Sequence, residues 1–287
     1  MSEQKNGTEP KKAFVIGFPI SHSKSPIIHN HWLTSKQLSG KYEKIAVDPH
    51  DLKNFITGFA QDGYLGGNIT IPHKETVLEH VDVIHPTAKR LKAANTLWIE
   101  DGKIHADNTD GYGFLANIDQ NKPNWDQNDP IKKALILGAG GASRPIIDGL
   151  LERGFQIAVT NRTKARSDAI VDLFNDLGFE GQVYAIDWKE RSNVLSDRSL
   201  LVNTTALGMT GQLELEIDLK TLSEDALVTD IVYSPLKTDL LLQAEKQGNP
   251  IVDGLGMLLH QAVPGFERWF GSRPEVTDHL RKLVLSA

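Results

Sequence analysis

The chain of 287 residues contains no cysteine. That excludes disulfide cross-links and thiolate metal ligands, and makes a reducing cytoplasm the simplest setting to expect. A basic excess is also missing. Lys and Arg number 31 against 37 Asp and Glu, a formal net charge of −6, which is the wrong sign for a nucleic-acid-binding surface. No apolar run approaches the roughly 18–20 residues needed to cross a bilayer, so no membrane partner is expected. Residues 1–12 are polar and lack the apolar stretch of a secretory signal, so they are expected to form a short disordered tail. Internal repeats and low-complexity segments are absent too. Against these absences, 40% of residues are hydrophobic and 24% charged, as in globular proteins. The length is generous for one core and comfortable for two domains.

Short apolar runs alternate with helical segments. Ala13-Phe-Val-Ile-Gly17 reads as a buried first strand. Ser25 as N-cap and Pro26 at the first helical position open a helix to about Lys36. Further strands are expected at 42–47, 65–71, 96–100 and 105–109, with Asp51 capping a helix to about Gln61 and Asp101-Gly102 marking a hairpin. Residues 117–130, rich in Asn, Asp, Gln and Pro, read as a loop or linker. A second α/β unit then begins at Lys133-Ala-Leu-Ile-Leu137, with strands expected at 156–160, 183–185, 200–203, 227–230 and 250–253. Such alternation predicts a parallel, doubly wound sheet. Residues 256–287 are expected to be largely helical.

The sharpest local pattern is Gly138-Ala139-Gly140-Gly141-Ala142-Ser143, placed after an apolar strand and before an amphipathic segment. This is the setting of a dinucleotide fingerprint: Gly138 permits a tight turn, Gly140 lets backbone N–H groups approach a pyrophosphate, and small Ser143 stands for the third glycine. A plain glycine turn is the blander alternative. NAD enzymes commonly place a carboxylate about 20 residues on, for the ribose hydroxyls. Here Asn161-Arg162-Thr163 occupies that position, with Arg166 one helical turn later. Nothing there repels a 2′-phosphate, and two arginines four apart can converge on one anion, so the expected cofactor is NADP. A solvated basic helix end is the alternative.

Three other segments are polar where a strand–helix junction does not require it: Ser21-His-Ser23-Lys-Ser25-Pro26, Asn68-Ile-Thr70-Ile-Pro-His-Lys74, and Asn95-Thr96 with Asn108-Thr109-Asp110. Singly, each has a plain explanation as a cap or turn. Together, hydroxyls, amides, a lysine and an aspartate suit a small polyhydroxy carboxylate. None of the ten histidines falls in an HExxH spacing, so no metal is expected, and His29 and His31 read as helix-face residues.

With Ala94-Asn95-Thr96, Asn108-Thr-Asp-Gly111, Asn203-Thr-Thr-Ala-Leu-Gly-Met209, Asp230-Ile-Val-Tyr233 and Asp253-Gly-Leu-Gly-Met257 leading to Gln261, the sequence resembles the shikimate dehydrogenase family over nearly its whole length. The resemblance implies a two-domain α/β fold. Residues 13–110 plus 256–287 would bind substrate, residues 111–255 would form a Rossmann-type NADP domain, and the site would lie in the cleft between them. It implies reversible NADPH-dependent reduction of 3-dehydroshikimate to shikimate, on the route to chorismate and the aromatic amino acids. By the same resemblance, Ser23 and Ser25 would bind the substrate carboxylate. Thr70, Asn95, Asp110, Tyr233 and Gln261 would hold ring hydroxyls or line their pocket. Lys74 would be the catalytic proton donor with Asp110 as its partner. Ile231 and Gly254 would offer backbone contacts to the nicotinamide end, with Met257 packed nearby. The family usually has glycine where this chain has Lys92, and a common glycine is replaced by Pro145. A dual quinate/shikimate enzyme is the alternative within the fold, and a non-catalytic NADP-binding domain the alternative outside enzymes. The expected partners are the small-molecule substrate and cofactor, in a monomer or homodimer.

Overall fold

A computed structural model of the chain describes residues 10–127 and 129–287. In chain order its elements are β1 (Lys11–Gly17), α1 (Ser25–Ser35), β2 (Gly40–Ala46), α2 (Leu52–Gly58), β3 (Tyr64–Ile69), β4 (Val83–Ile84), α3 (Pro86–Leu91), β5 (Thr96–Glu100), β6 (Lys103–Asp107), α4 (Asp110–Asn121), β7 (Lys133–Leu137), α5 (Ser143–Glu152), β8 (Gln156–Thr160), α6 (Lys164–Asp176), β9 (Val183–Ala185), β10 (Leu200–Asn203), β11 (Leu227–Asp230), α7 (Asp239–Gln247), β12 (Ile251–Val252), α8 (Leu255–His260), α9 (Ala262–Phe270) and α10 (Asp278–Leu285). They divide into two compact units, one running to Thr109 and resuming at Ala262–Ala287, the other Asp110–Gln261.

The first unit holds a mixed sheet of order β2-β1-β3-β5-β6-β4. β1 runs parallel to β2 and β3, while β5 is antiparallel to β3 and β6. Ala13 is in register with Tyr42, so Phe14 points to the opposite face. There the Phe14 ring packs edge-on against Phe55, Phe59 and Tyr64 at 5.0, 5.3 and 5.4 Å. A Cβ on Gly67 would collide with that ring. Tyr42 instead packs on α1 and α9, stacking on His29 at 4.0 Å and meeting Trp269 at 5.8 Å. The Trp269 indole donates to the Leu97 carbonyl at 2.8 Å, an approach that a side chain on Gly66 would block.

The second unit is an all-parallel sheet of order β12-β11-β10-β7-β8-β9. Counted from β7, this is the doubly wound order 6-5-4-1-2-3, whose switch point lies between β7 and β10. Both faces are covered, so the strands are mostly continuous apolar runs rather than alternating, with polar residues mainly at their ends. Ala134 and Ile136 pack with Ile146, Ile147 and Leu150 of α5, while Leu135 and Leu137 pack with Leu240 and Leu241 of α7.

Several expectations are corrected. Residues 117–121 are not linker but the end of α4. The Asn117 side chain is buried and donates to the Asp253 carbonyl at 2.7 Å, and Asn121 donates to the Asn117 carbonyl at 2.8 Å. Polar residues that signal a loop are thus used as buried hydrogen-bonding groups. The strand expected at 105–109 is β6, Lys103–Asp107. Lys11 and Lys12, assigned to the tail, begin β1, while residues 1–9 of that tail lie outside the described residues. Ser25 is the first residue of α1 and not its cap; Lys24 holds that position without a side-chain bond. Asp51 stands at the N-cap position of α2 as expected, but without a side-chain bond, and α2 ends at Gly58 rather than near Gln61; a short 3₁₀ turn before it is capped by Asp48, which accepts from the His50 N–H at 3.0 Å. The unit boundaries fall at Thr109/Asp110 and Gln261/Ala262 rather than 110/111 and 255/256. Residues 256–261 belong to the second unit because α8 packs closely on α4, where a Cβ on Gly256 would collide with the Asn117 amide.

Candidate active site

In the first unit the predicted substrate residues gather at strand ends. Thr70 follows β3, and its N–H donates to the Ile16 carbonyl at 2.9 Å. The turn after it is closed by the His73 N–H bonding the Thr70 carbonyl at 2.9 Å, and is tied down by the buried His73 ring, whose Nε2 lies 2.8 Å from the Val47 carbonyl. Lys74 leaves this turn with its carbonyl accepting from the Ala94 N–H at 2.8 Å. The next residue, Asn95, bonds through its carbonyl to the Ile69 N–H at 2.8 Å. Thr70, Lys74 and Asn95 are therefore held together by the backbone of two neighbouring segments. Ser23 and Ser25 lie together before and at the start of α1, where Ser23 Oγ accepts from the Ser25 N–H at 3.4 Å.

Behind these residues lies a buried polar chain that no single motif announces. Tyr42 Oη donates to Asn68 Oδ1 at 2.6 Å, and Asn68 Nδ2 donates to the Asn95 carbonyl at 3.1 Å and to Thr96 Oγ1 at 3.3 Å. Asn95 Oδ1 accepts from Thr96 Oγ1 at 2.9 Å, the Thr109 N–H at 2.9 Å and Thr109 Oγ1 at 3.1 Å. Tyr42, Thr96 and Thr109 are not in the predicted site. Asn68 near the end of β3, Thr96 and Thr109 fall in segments whose polarity stands out in the sequence, but nothing local in the sequence joins them to Tyr42. His29, read from sequence as a helix-face residue, is fully buried among Trp32, Tyr42, Phe266 and Trp269. Neither ring nitrogen has a hydrogen-bond partner. Burial pushes its pKa down to about 3, against a weaker opposite pull from the Asn68 side chain.

In the second unit the predicted cofactor residues stand at the C-terminal ends of parallel strands, where ligands bind in doubly wound sheets. Gly138 ends β7 with φ of 111°, and a Cβ there would press on Thr204 Oγ1 at 2.7 Å. Around Gly140 and Gly141 a Cβ would meet nothing within 4 Å, so the loop borders open space just before α5. Ser143 is buried and donates its hydroxyl to the Gly140 carbonyl at 2.7 Å, which fixes the loop. Asn161, Arg162 and Thr163 follow β8, and Asn161 Nδ2 donates to the Thr163 carbonyl at 3.0 Å. Lys164 is held by Asp168 at 2.7 Å. Arg162 and Arg166 are exposed and form no ion pair among the described residues. Arg162 also lines a cavity of about 530 Å³ together with Trp188, Arg191, Leu207 and Leu213, which the sequence did not disclose. Ile231 follows β11, and a Cβ on Gly254 would run into its carbonyl, so these two predicted contacts are adjacent.

Gln261 lies next to Gly113 of α4 and donates Nε2 to the Leu258 carbonyl at 3.0 Å, and Met257 accepts the Gln261 N–H at 3.1 Å. Asp110 opens α4. Burial raises the pKa of the Tyr233 phenol, keeping it a hydroxyl donor. A further polar cluster at the strand ends went unassigned: the Asp230 carboxylate accepts from Thr238 Oγ1 at 2.7 Å and from Asn203 Nδ2 at 3.0 Å. Among the described residues, no group of three or more His, Cys, Asp or Glu is placed to hold a metal ion, and no helix is long and apolar enough to cross a membrane.

A glycine loop at the switch point of a parallel sheet defines the second unit as a dinucleotide-binding fold, and the first unit adds a separate α/β body with polar strand ends. The sequence family described as the shikimate dehydrogenase substrate binding domain matches residues 15–97, and that described as the shikimate 5′-dehydrogenase C-terminal domain matches residues 254–285. Shikimate dehydrogenase (NADP(+)) of Brucella abortus is 48% identical over 99% of this chain and 97% of its own length. Shikimate 5-dehydrogenase from Thermus thermophilus, solved with NADP(H) and shikimate, is 30% identical with a TM-score of 0.81, covering 96% of this chain and 99% of that one. Quinate dehydrogenase from Corynebacterium glutamicum, solved with NAD, is 28% identical with a TM-score of 0.88, covering 98% of this chain and 100% of that one. The chain belongs to the shikimate dehydrogenase family.

Proposed function

We propose that the protein is an NADP-dependent dehydrogenase interconverting shikimate and 3-dehydroshikimate, a step toward the aromatic amino acids, and that it works in the cytoplasm. The observation that carries this reading is identity over nearly the full length to proteins so named, with every segment assigned to substrate intact. Ser23 and Ser25 bind the carboxylate. Thr70, Asn95, Asp110, Tyr233 and Gln261 hold ring hydroxyls. Lys74 donates a proton to the oxygen of the ketone as it becomes an alkoxide, and its ammonium stabilises the developing negative charge before transfer. In the oxidising direction the neutral amine takes that proton back. Asp110 serves as the second polar group of the reaction.

The loop Gly138–Ala142, Asn161, Arg162, Thr163, Arg166, Ile231, Gly254 and Met257 would hold the dinucleotide. When bound, it supplies the hydride delivered to the ring carbon. The open space at Gly140 and Gly141 and the donor set of backbone N–H groups and arginines fit a dinucleotide carrying an extra phosphate. No carboxylate stands at 161–163 to take the ribose hydroxyls of NAD, which favours NADP over the cofactor of the quinate dehydrogenase neighbour.

The test is kcat/KM for shikimate oxidation with NADP and with NAD, in the wild type and in Arg162→Ala. Losing a charged hydrogen-bond partner costs about 1.5–3 kcal/mol, roughly 10–100-fold in affinity. The wild type should prefer NADP clearly, and Arg162→Ala should lose that preference through the cofactor KM. Because Arg162 is exposed, the preference should shrink as salt rises. Equal use of both cofactors by the wild type would reject the NADP reading, and failure to turn over shikimate would reject the function.

A further inference from the structure

We infer that Arg191, which belongs to no predicted site, is a specificity-determining residue for the cofactor: together with Arg162 it receives the 2′-phosphate that distinguishes NADP from NAD. This rests on the NADP reading above and adds to it a residue from another segment of the second unit.

Position is the first argument. Arg162 follows β8, Trp188 and Arg191 follow β9, Leu207 follows β10, and all four line one cavity of about 530 Å³. β7, which carries the glycine loop, lies between β8 and β10 in the sheet. The cavity therefore stands at the carboxyl ends of the parallel strands, where doubly wound sheets bind ligands, and beside the strand end where an arginine accommodates a 2′-phosphate.

The second argument is the state of the charge. Arg191 Nε and Nη2 donate to the Glu216 carbonyl at 2.8 and 2.6 Å, and Nη1 donates to the Trp188 carbonyl at 2.7 Å. The guanidinium carbon lies 4.7 Å from the centre of the Trp188 ring. The next residue is fastened as well, with Ser192 Oγ accepting from the Asp218 N–H at 3.0 Å. Carbonyls hold the side chain in one place without neutralising it. A guanidinium has five N–H donors, so donors remain for a ligand. Arg191 forms no ion pair among the described residues. Arg153 and Arg198 of the same unit are instead answered by carboxylates, Arg153 by Asp119 and Asp126 at 2.6 and 3.1 Å and Arg198 by Asp197 at 3.4 Å.

Arg162 is likewise unpaired, so two uncompensated guanidiniums share one cavity. That arrangement is poor for the empty protein and good for a dianion. A phosphate monoester carries about −1.5 to −2 charges at neutral pH, more than one arginine balances. Because Arg191 is already fixed, little side-chain freedom is lost when the phosphate arrives. Glu214 and Glu216 also border the cavity, but both are exposed, so solvent and salt screen their repulsion.

The experiment compares Arg191→Gln, Arg162→Ala and the double variant with wild type. Each is assayed for kcat/KM with NADP and with NAD at low salt, and titrated calorimetrically with 2′,5′-ADP and 5′-AMP, which differ only by the 2′-phosphate. Arg191→Gln should lower the NADP:NAD ratio of kcat/KM by about tenfold, through the NADP KM, and weaken 2′,5′-ADP relative to 5′-AMP by the same factor. The double variant should keep no preference for NADP. A merely structural role at the Glu216 and Trp188 carbonyls would weaken both cofactors and both nucleotides alike, and that result overturns the inference. If Arg191→Gln fails to fold, Arg191→Lys decides: one ammonium cannot serve the carbonyls and the phosphate as the fork does, so the ratio should still fall, and an unchanged ratio overturns the inference. An unchanged ratio in Arg191→Gln beside a collapsed ratio in Arg162→Ala also overturns it, while the NADP reading stands. A wild type without NADP preference rejects that reading first.

Discussion

The two units bury polar groups in opposite ways. The interior of the parallel sheet is largely apolar along β7, β8, β10 and β11, with Thr229 as a buried exception, and hydrogen-bonding side chains such as Asn203 and Asp230 are the last residues of their strands. The mixed sheet threads Tyr42, Asn68 and Thr96 through its middle, and Asn95 and Thr109 continue the chain. A dinucleotide is met largely by backbone N–H groups at a helix start, so its sheet serves as a rigid apolar frame. A small polyhydroxy acid must be met by side chains of defined orientation, and a buried polar network provides orientation at the cost of a less forgiving core. On this comparison, substitutions in the first unit should act on substrate chemistry and leave cofactor affinity alone.

The largest effect should come from Lys74→Ala. If Lys74 is the proton donor, kcat falls by about 10²–10⁴, the usual contribution of general acid–base catalysis, while shikimate KM changes far less and NADP KM stays as in the wild type. Steady-state kinetics in both directions checks this. Near-normal kcat removes Lys74 from the mechanism, and a matching rise in NADP KM breaks the division of labour between the units.

A smaller effect separates the units by acid sensitivity. His29 sits in the first unit with its pKa lowered to about 3, among Trp32, Tyr42, Phe266 and Trp269, none of them charged. Below the unfolded value of about 6.5 the unfolded chain takes up a proton that the folded chain refuses, so stability present above that pH is lost as pH falls toward 3. The loss is about 1.4 kcal/mol for each pH unit. Denaturant melts of wild type and His29→Phe at pH 7.5 and 5.5 should differ in their pH dependence by about that amount, with the variant the flatter. Parallel pH dependence would show that the imidazole is protonated in the fold after all.

Legibility divided along the same line. The second unit was readable because its strands are short apolar runs closed by glycine or polar residues, and because Gly138-x-Gly140 states its own geometry. In the first unit Thr70, Lys74 and Asn95 stand out in the sequence as polar residues at strand ends, whereas Tyr42 reads as an ordinary strand residue. Its partner Asn68 is 26 positions away, and a pairing at that separation leaves no local pattern. The 117–130 segment misled because buried asparagines and loop asparagines look alike until Asn117 is seen to bond the Asp253 carbonyl. That Arg191 and Trp188 line a cavity with Arg162 is likewise invisible in the sequence, since only the fold brings the segment after β9 to that wall.

The smallest effect concerns how helices end. In the second unit α7 stops at Gly248, with φ of 101°. In the first unit α3 stops at Lys92, which adopts a left-handed conformation with φ of 53° and ψ of 34° while its N–H bonds the Ala88 carbonyl. A residue with a Cβ pays about 1–2 kcal/mol to sit there. Replacing it by glycine relieves that strain but frees the unfolded chain by about 0.4–1 kcal/mol. Lys92 is exposed, so its removal forfeits little packing, and Lys92→Gly should stabilise the protein by roughly 0.5–1 kcal/mol as the difference of these terms. The reciprocal change, Gly248→Lys, should destabilise by more than that. The nearest atom to a Cβ there is Glu224 Oε2 at 3.9 Å, so space is available, but a φ of 101° lies well beyond the left-handed basin near 57°. Equilibrium denaturation of both variants against wild type measures the pair. A destabilised Lys92→Gly would mean that the lysine stem contributes more to the end of α3 than its exposure implies.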